Sequence, residues 1–288
     1  MIAALLLIIS VSSTVTNNAI MNFVSKRLLK LPGDVSKFNS IAYVVCTVIF
    51  CVMAAIANQF SWFSLWLGAL FGVVTALNAY CCMLALKKGP MHITLLITTS
   101  SMLIPTFYDV VFGVSSFSIG KLLCALVLIV FIYISVDDTQ HRSEQSNRGW
   151  LLNCFLAFLL GGLVGIMQKF HQTSNHSSET YLFLTAAFVS SMIFTYFSST
   201  GQKCECVFDK KLVTMALLSG ICIFTMNLLN LHLAGIIPSQ LFFPMVNGSS
   251  TILSSILAVV VFHETISVKK VVGLIGGILT LTMICFLP

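Results

Sequence analysis

Ten runs of about twenty apolar residues follow one another along the chain, near 2–24, 38–57, 62–86, 91–112, 117–136, 150–170, 180–198, 211–234, 239–262 and 268–287. A bilayer core is about 30 Å thick, and a helix needs about 20 apolar residues to cross it. In lipid every backbone N–H and C=O must be bonded within the protein, so lone apolar runs of this length predict helices. The expected fold is an all-α integral membrane protein with ten transmembrane helices, numbered spans 1 to 10. Composition excludes the alternative: 58% of the 288 residues are hydrophobic and 8% are charged, against about 25% charged in a soluble domain. Residues 2–24 have no basic stretch ahead of them and no clear cleavage site, so they read as a first span rather than a removed signal peptide.

The chain also repeats itself. The passage Phe262-His263-Glu264-Thr265-Ile266-Ser267-Val268-Lys269-Lys270 joins the last two spans, and a weaker copy lies 149 residues earlier, where Ser118 and Lys121 align with Ser267 and Lys270. The same offset carries Asn78 onto Asn227 and Ser100-Ser101 onto Ser249-Ser250. A polar connection containing Asp137, Asp138, His141, Arg142, Glu144 and Arg148 lies midway. It divides the chain into a first five-span repeat (1–137), a linker (138–149) and a second five-span repeat (150–288). A half with an odd number of spans ends on the side opposite its start, so two such halves in tandem are inverted relative to each other.

Charge tests this arrangement. Lys26, Arg27, Lys30, Lys37, Lys87, Lys88, Arg142, Arg148, Lys203, Lys210, Lys211, Lys269 and Lys270 all fall in odd-numbered connections. Lys121 and Lys169 alone of the fifteen basic residues do not. Cytoplasmic loops are the basic ones, which places the odd connections inside and both termini outside. The net charge of +6 therefore reports membrane orientation, and no nucleic-acid partner is expected.

These residues resemble the drug/metabolite transporter superfamily, in particular its ten-helix EamA-type members. The likeness is strongest in spans 9 and 10, through Pro244, Asn247-Gly248-Ser249-Ser250, Phe262-His263-Glu264 and Gly273-Leu274-Ile275-Gly276-Gly277. The first repeat keeps Pro105, Ser118 and Lys121 but has Ser115 where the second has Glu264. The resemblance implies a secondary transporter, with a cavity near the midplane lined by spans 1, 3, 4, 6, 8 and 9. Members export amino acids, other metabolites or drugs, and eukaryotic relatives exchange nucleotide sugars. Several members are drawn with both termini in the cytoplasm; the charges here argue the opposite.

Polar side chains at membrane depth are costly unless satisfied, so each is a candidate. Span 1 offers Asn18 and Asn22 on one face, besides Asn17; spans 3 and 8 offer Asn78 and Asn227, related by the repeat, with Asn230 beside the latter. An amide presents both an acceptor and donors, so these side chains are either substrate-binding groups or glue between helices. For Asn17 glue or local capping is favoured. Thr98 and Ser101 in span 4, and Asn247 and Ser250 in span 9, flank the helix breaks expected at Pro105, Pro244 and Gly248. They read as a gate or substrate wall, or as close packing through small residues.

Asp109, near the end of span 4, is the carboxylate candidate for proton coupling. Glu264 reads as a cap on span 10, and His92 as a solvated interfacial side chain. The pairs Gly161/Gly165 and Gly273/Gly277 favour close helix contacts within one copy or between two, so the protein is expected as a monomer or homodimer.

No phosphate-binding loop, HExxH pair or intramembrane carboxylate pair is present, so neither ATP hydrolysis nor enzymatic chemistry is expected. Cys204 and Cys206 form a loop pair without a second pair at zinc spacing, so no metal or cofactor is expected. The sequence thus reads as a plasma-membrane secondary transporter, an exporter of a small polar, amino-acid-like metabolite. The alternatives are an exchanger of an anionic or nucleotide-sugar-like substrate, and a non-transporting scaffold or sensor of the same fold.

Overall fold

A computed structural model describes residues 2–58, 60–105, 108, 120, 123–124, 127, 130–131, 144–204, 210–237, 239–264 and 268–286. Among them nine α-helices follow in order: α1 (Ile2–Arg27), α2 (Pro32–Ala57), α3 (Trp62–Lys88), α4 (Met91–Thr99), α5 (Glu144–Thr173), α6 (Thr180–Thr200), α7 (Lys210–Ile236), α8 (Ser239–Val260) and α9 (Val268–Phe286). Helices α1 to α4 occupy spans 1 to 4, and α5 to α9 occupy spans 6 to 10. Span 5, Ser115, Ser118 and Lys121 lie outside the described residues, apart from isolated positions in that span. Helix α5 begins at Glu144, inside the stretch read as a linker.

Six helices, α1 to α3 and α5 to α7, are long and apolar enough to cross a membrane. Their outward faces carry large apolar side chains: Ile56 is 80% and Trp66 is 74% exposed. Water would not tolerate so much apolar surface, whereas lipid does. The protein is all-helical among the described residues, and several long apolar helices are compatible with a membrane-spanning chain.

Local chemistry sets the helix ends. Asp34 accepts the amides of Lys30 and Leu31 at 3.0 and 2.9 Å, closing the start of α2. Ser61 caps α3, and Asn58 ends α2 in the left-handed region at φ 48°. Helix α4 gives way to a 3-10 turn over Ser100–Met102, one turn before Pro105, which has no N–H to return to the Ser101 carbonyl. The hydroxyls of Thr98, Thr99 and Ser100 bond back to the Leu95 and Leu96 carbonyls and hold this weakened stretch together.

The most extensive helix contacts all join a first-half helix to a second-half one: α2 on α6, α3 on α6 and α5, α1 on α7. At the α3–α6 crossing the backbones nearly touch, and a Cβ on Gly72 would overlap the Ala187 carbonyl oxygen. Ser191 donates to the Gly72 carbonyl at 2.7 Å and Ser190 to the Ala69 carbonyl at 2.8 Å. Beside this crossing Tyr43, Phe50, Phe71, Phe183 and Phe188 form a fully buried aromatic cluster, with Phe50 stacked on Phe188 at 5.5 Å. In lipid such packing, rather than exclusion of water, holds helices together. Gly161 and Gly165 of α5 lie against Ser101 and Pro105, so this small-residue pair serves contacts within the bundle.

Four of the odd-numbered connections, those after spans 1, 3, 7 and 9, meet at one end of the bundle. Lys87 donates to the Lys30 carbonyl, Gly33 lies on the Lys203 carbonyl, and Lys26 pairs with Glu264. At the other end Ser61, Ser64, His171, His176 and Glu179 join the connections after spans 2 and 6, with Ser64 donating to Glu179 at 2.6 Å.

Candidate functional site

Helices that alternate between the two halves leave a space between them. The central cavity measures about 260 Å³ and is lined by α1, α2, α3, α4 with its 3-10 turn, α5, α7 and α8. All six spans implied by the family resemblance contribute; span 2 is an addition.

The structure brings Asn18, Asn78, Thr98, Ser101, Asn227, Asn230, Asn247 and Ser250 to this one cavity, together with Pro105. Asn78 and Asn227, far apart in sequence, therefore face a common space. Asn22 is not among the lining residues: it is fully buried one turn beyond Asn18, and neither atom of its amide meets a partner. Gly248 is buried beside the cavity without lining it, and among the described residues no atom comes within 4 Å of where its Cβ would be. It is thus not kept small by a neighbour. Pro244 lies within α8. Asp109 lies outside the described residues.

Hydrogen bonds separate glue from free amides. Asn17, favoured from sequence as glue, accepts from Ser219 of α7 at 2.7 Å, yet also lines the cavity. Asn18 donates to Ser254 of α8 at 3.3 Å, and Asn230 accepts from Ser10 of α1. Thr251 of α8 donates to Thr99 of α4 at 2.9 Å. Among the described residues Asn227 bonds only within its own helix, donating to the Ile223 carbonyl at 2.9 Å. Among the described residues the Asn78 amide has no hydrogen-bond partner, although it lines the cavity. Among the described residues, then, neither Asn78 nor Asn227 makes a side-chain hydrogen bond to another helix.

Sequence reasoning overlooked Asn39 and Tyr43 of α2, Thr75 of α3 and Gln168 of α5, all on the cavity wall. Asn39 and Tyr43 are four residues apart near the start of α2, so they share a face. That spacing was the available signal, obscured because the resemblance implies no role for span 2.

Two charged residues have surroundings the sequence does not announce. Residues 265–267, at the start of span 10, lie outside the described residues, and Glu264 itself reaches the first half, accepting from Lys26 Nζ at 2.7 Å, His92 Nδ1 at 2.9 Å and the Met91 amide at 3.0 Å. It therefore closes the exposed N-terminus of α4, whose own cap residue, Pro90, offers no side-chain bond. His92 is 1% exposed rather than solvated. Burial alone would push the Glu264 carboxyl up, but the bonds from His92, Lys26 and Met91, with the Lys26 charge, outweigh it and hold the pKa down at about 2.

No protein-family model matches the chain, and no curated protein matches it. The fold is similar to that of a solved crystal structure described only as a protein, with a TM-score of 0.67 at 11% identity over 99% of this chain and 97% of that one. At that identity the likeness concerns the fold alone.

Proposed function

We propose that the protein is an EamA-like secondary transporter that moves a small polar metabolite across the plasma membrane by alternating access between two inverted five-helix repeats, and that it works as an exporter. The observation that carries this reading is the central cavity between the halves, onto which the repeat-related Asn78 and Asn227 both open. The helix contacts support the inverted repeat. Swapping each span for the one five further on exchanges the α1–α7 contact with α5–α3, and α1–α8 with α5–α4. It returns α2–α6 and α4–α8 to themselves, as a pseudo-twofold axis would.

In proteoliposomes loaded with candidate metabolites, the substrate should stabilise the protein and exchange across the bilayer. Asn78→Ala and Asn227→Ala should each weaken binding about tenfold, the equivalent of one lost hydrogen bond of about 1.4 kcal/mol. Unchanged affinity in both variants, with fold and melting temperature retained, moves the site elsewhere.

Orientation is tested separately. Cys204 is an exposed free thiol at the end of the bundle that gathers the basic connections. If those connections are cytoplasmic, a membrane-impermeant maleimide added to intact cells should leave Cys204 unlabelled and should label it in inverted vesicles. The Cys204→Ser/Cys206→Ser variant controls for the site. Labelling from outside reverses the assignment of both termini.

A further inference from the structure

Among the described residues, every polar side chain on the cavity wall is a neutral amide, hydroxyl or thiol, and none is Asp, Glu, Lys, Arg or His. Lys26, the basic side chain of α1 nearest the cavity in sequence, is bound to Glu264 at the end of the bundle. An ionic solute entering such a space would shed its hydration without gaining a counter-charge from the described wall.

Two of the amides on this wall are unmatched. Gln168 is 7% exposed, and among the described residues neither its amide nor that of Asn78 is hydrogen-bonded. Buried groups of this kind are normally satisfied, so the cavity is built for an occupant that supplies donors and acceptors together. A carboxamide sets an acceptor beside a donor, the complement of an amide or amidine edge; Asn and Gln read adenine edges in nucleic acids through the same pairing. The volume of about 260 Å³ lies near the lower end of ligand pockets, about 300–1,000 Å³, and so favours one or two rings.

We propose that the cavity takes an uncharged nucleobase or nucleoside, held edge-on by Asn78 and Gln168. The inference rests on the transport reading and narrows it, replacing the amino-acid-like and anionic substrates expected from sequence.

The test uses the full-length protein. Counterflow of labelled uridine, adenosine and hypoxanthine in proteoliposomes is compared with that of L-serine, glucose, UDP-glucose and tetraethylammonium, alongside thermal shifts in detergent for the same set. The expected result is exchange and stabilisation by the neutral bases or nucleosides, lowered about tenfold in Gln168→Ala and in Asn78→Ala. Exchange of serine, UDP-glucose or tetraethylammonium without uridine, adenosine or hypoxanthine overturns the substrate class while leaving transport standing, and exchange of glucose alone does the same. Stabilisation by nucleosides without exchange of anything upholds the binding site and sinks transport. Neither exchange nor stabilisation by any of the seven overturns both.

Discussion

Gly72→Leu is expected to lower the stability of the detergent-solubilised protein by about 3 kcal/mol or more, the upper range for overpacking a well-filled contact. A Cβ at Gly72 would overlap the Ala187 carbonyl and the Ser190 hydroxyl of α6, so backbone and not a flexible side-chain end stands in the way. Moving α6 aside would also break the bond from Ser191 to the Gly72 carbonyl and disturb the Phe71–Phe183 contact at 5.0 Å. Thermal unfolding followed by size-exclusion chromatography measures the effect. A variant that melts with the wild type would mean that the two helices are not in contact at this point. Gly248→Ala provides the contrast, because no described atom lies within 4 Å of the new methyl group. Gly-to-Ala in a helix interior is worth up to about 1 kcal/mol in favour of alanine, so stability should hold or rise. If bending at Gly248 serves transport, exchange should slow in that variant all the same.

Glu264→Gln is expected to destabilise the protein by about 2 kcal/mol and to change how stability depends on pH. The carboxylate joins α1, α4 and the α8–α9 turn through Lys26, His92 and the Met91 amide. Breaking a fully buried pair typically costs about 3–5 kcal/mol, but the Lys26 side chain is about a third exposed, and solvent screening lowers that figure. The folded carboxyl has its pKa depressed from 4.5 to about 2. Its contribution is therefore fully present above the unfolded value and is lost as pH falls from about 4.5 towards 2. Melting temperatures of wild type and variant should differ near neutral pH and converge across that acid window. A constant difference down to pH 2 would show that Glu264 does not act through its charge in the folded state.

The residues themselves show where sequence reasoning reached and where it stopped. Asn78 and Asn227 were legible as a pair because they stand at the same 149-residue offset that carries Ser100-Ser101 onto Ser249-Ser250 and because an amide in an apolar run is conspicuous. Pro105 was legible as a weak point because a missing N–H is a local property; a 3-10 turn over Ser100–Met102 precedes it. Asn39 and Gln168 were not singled out, since each sits near the end of an apolar run, where a polar residue needs no special explanation until the neighbouring helices are in place. Asn18 and Asn22 share a face by helical spacing, yet only the first reaches the cavity. A shared face gives direction around a helix axis and says nothing of depth along a tapering space. Capping is a local expectation, so the sequence ties Glu264 to its own helix and is silent on Lys26, Met91 and His92, the partners it meets more than 170 residues away.

By itself, then, the sequence determined the helical class, the course of the apolar runs and the ends at which basic residues gather. Those follow from the thickness of the bilayer, the need to bond every backbone group within it, and the cost of moving charge across it. Only the tertiary structure decided which helices of one half lie against those of the other, where Gly72 lets two backbones meet, and which amides are consumed as glue. Those outcomes depend on the summed shapes of side chains far apart in the chain, and no local rule of spacing or propensity encodes them.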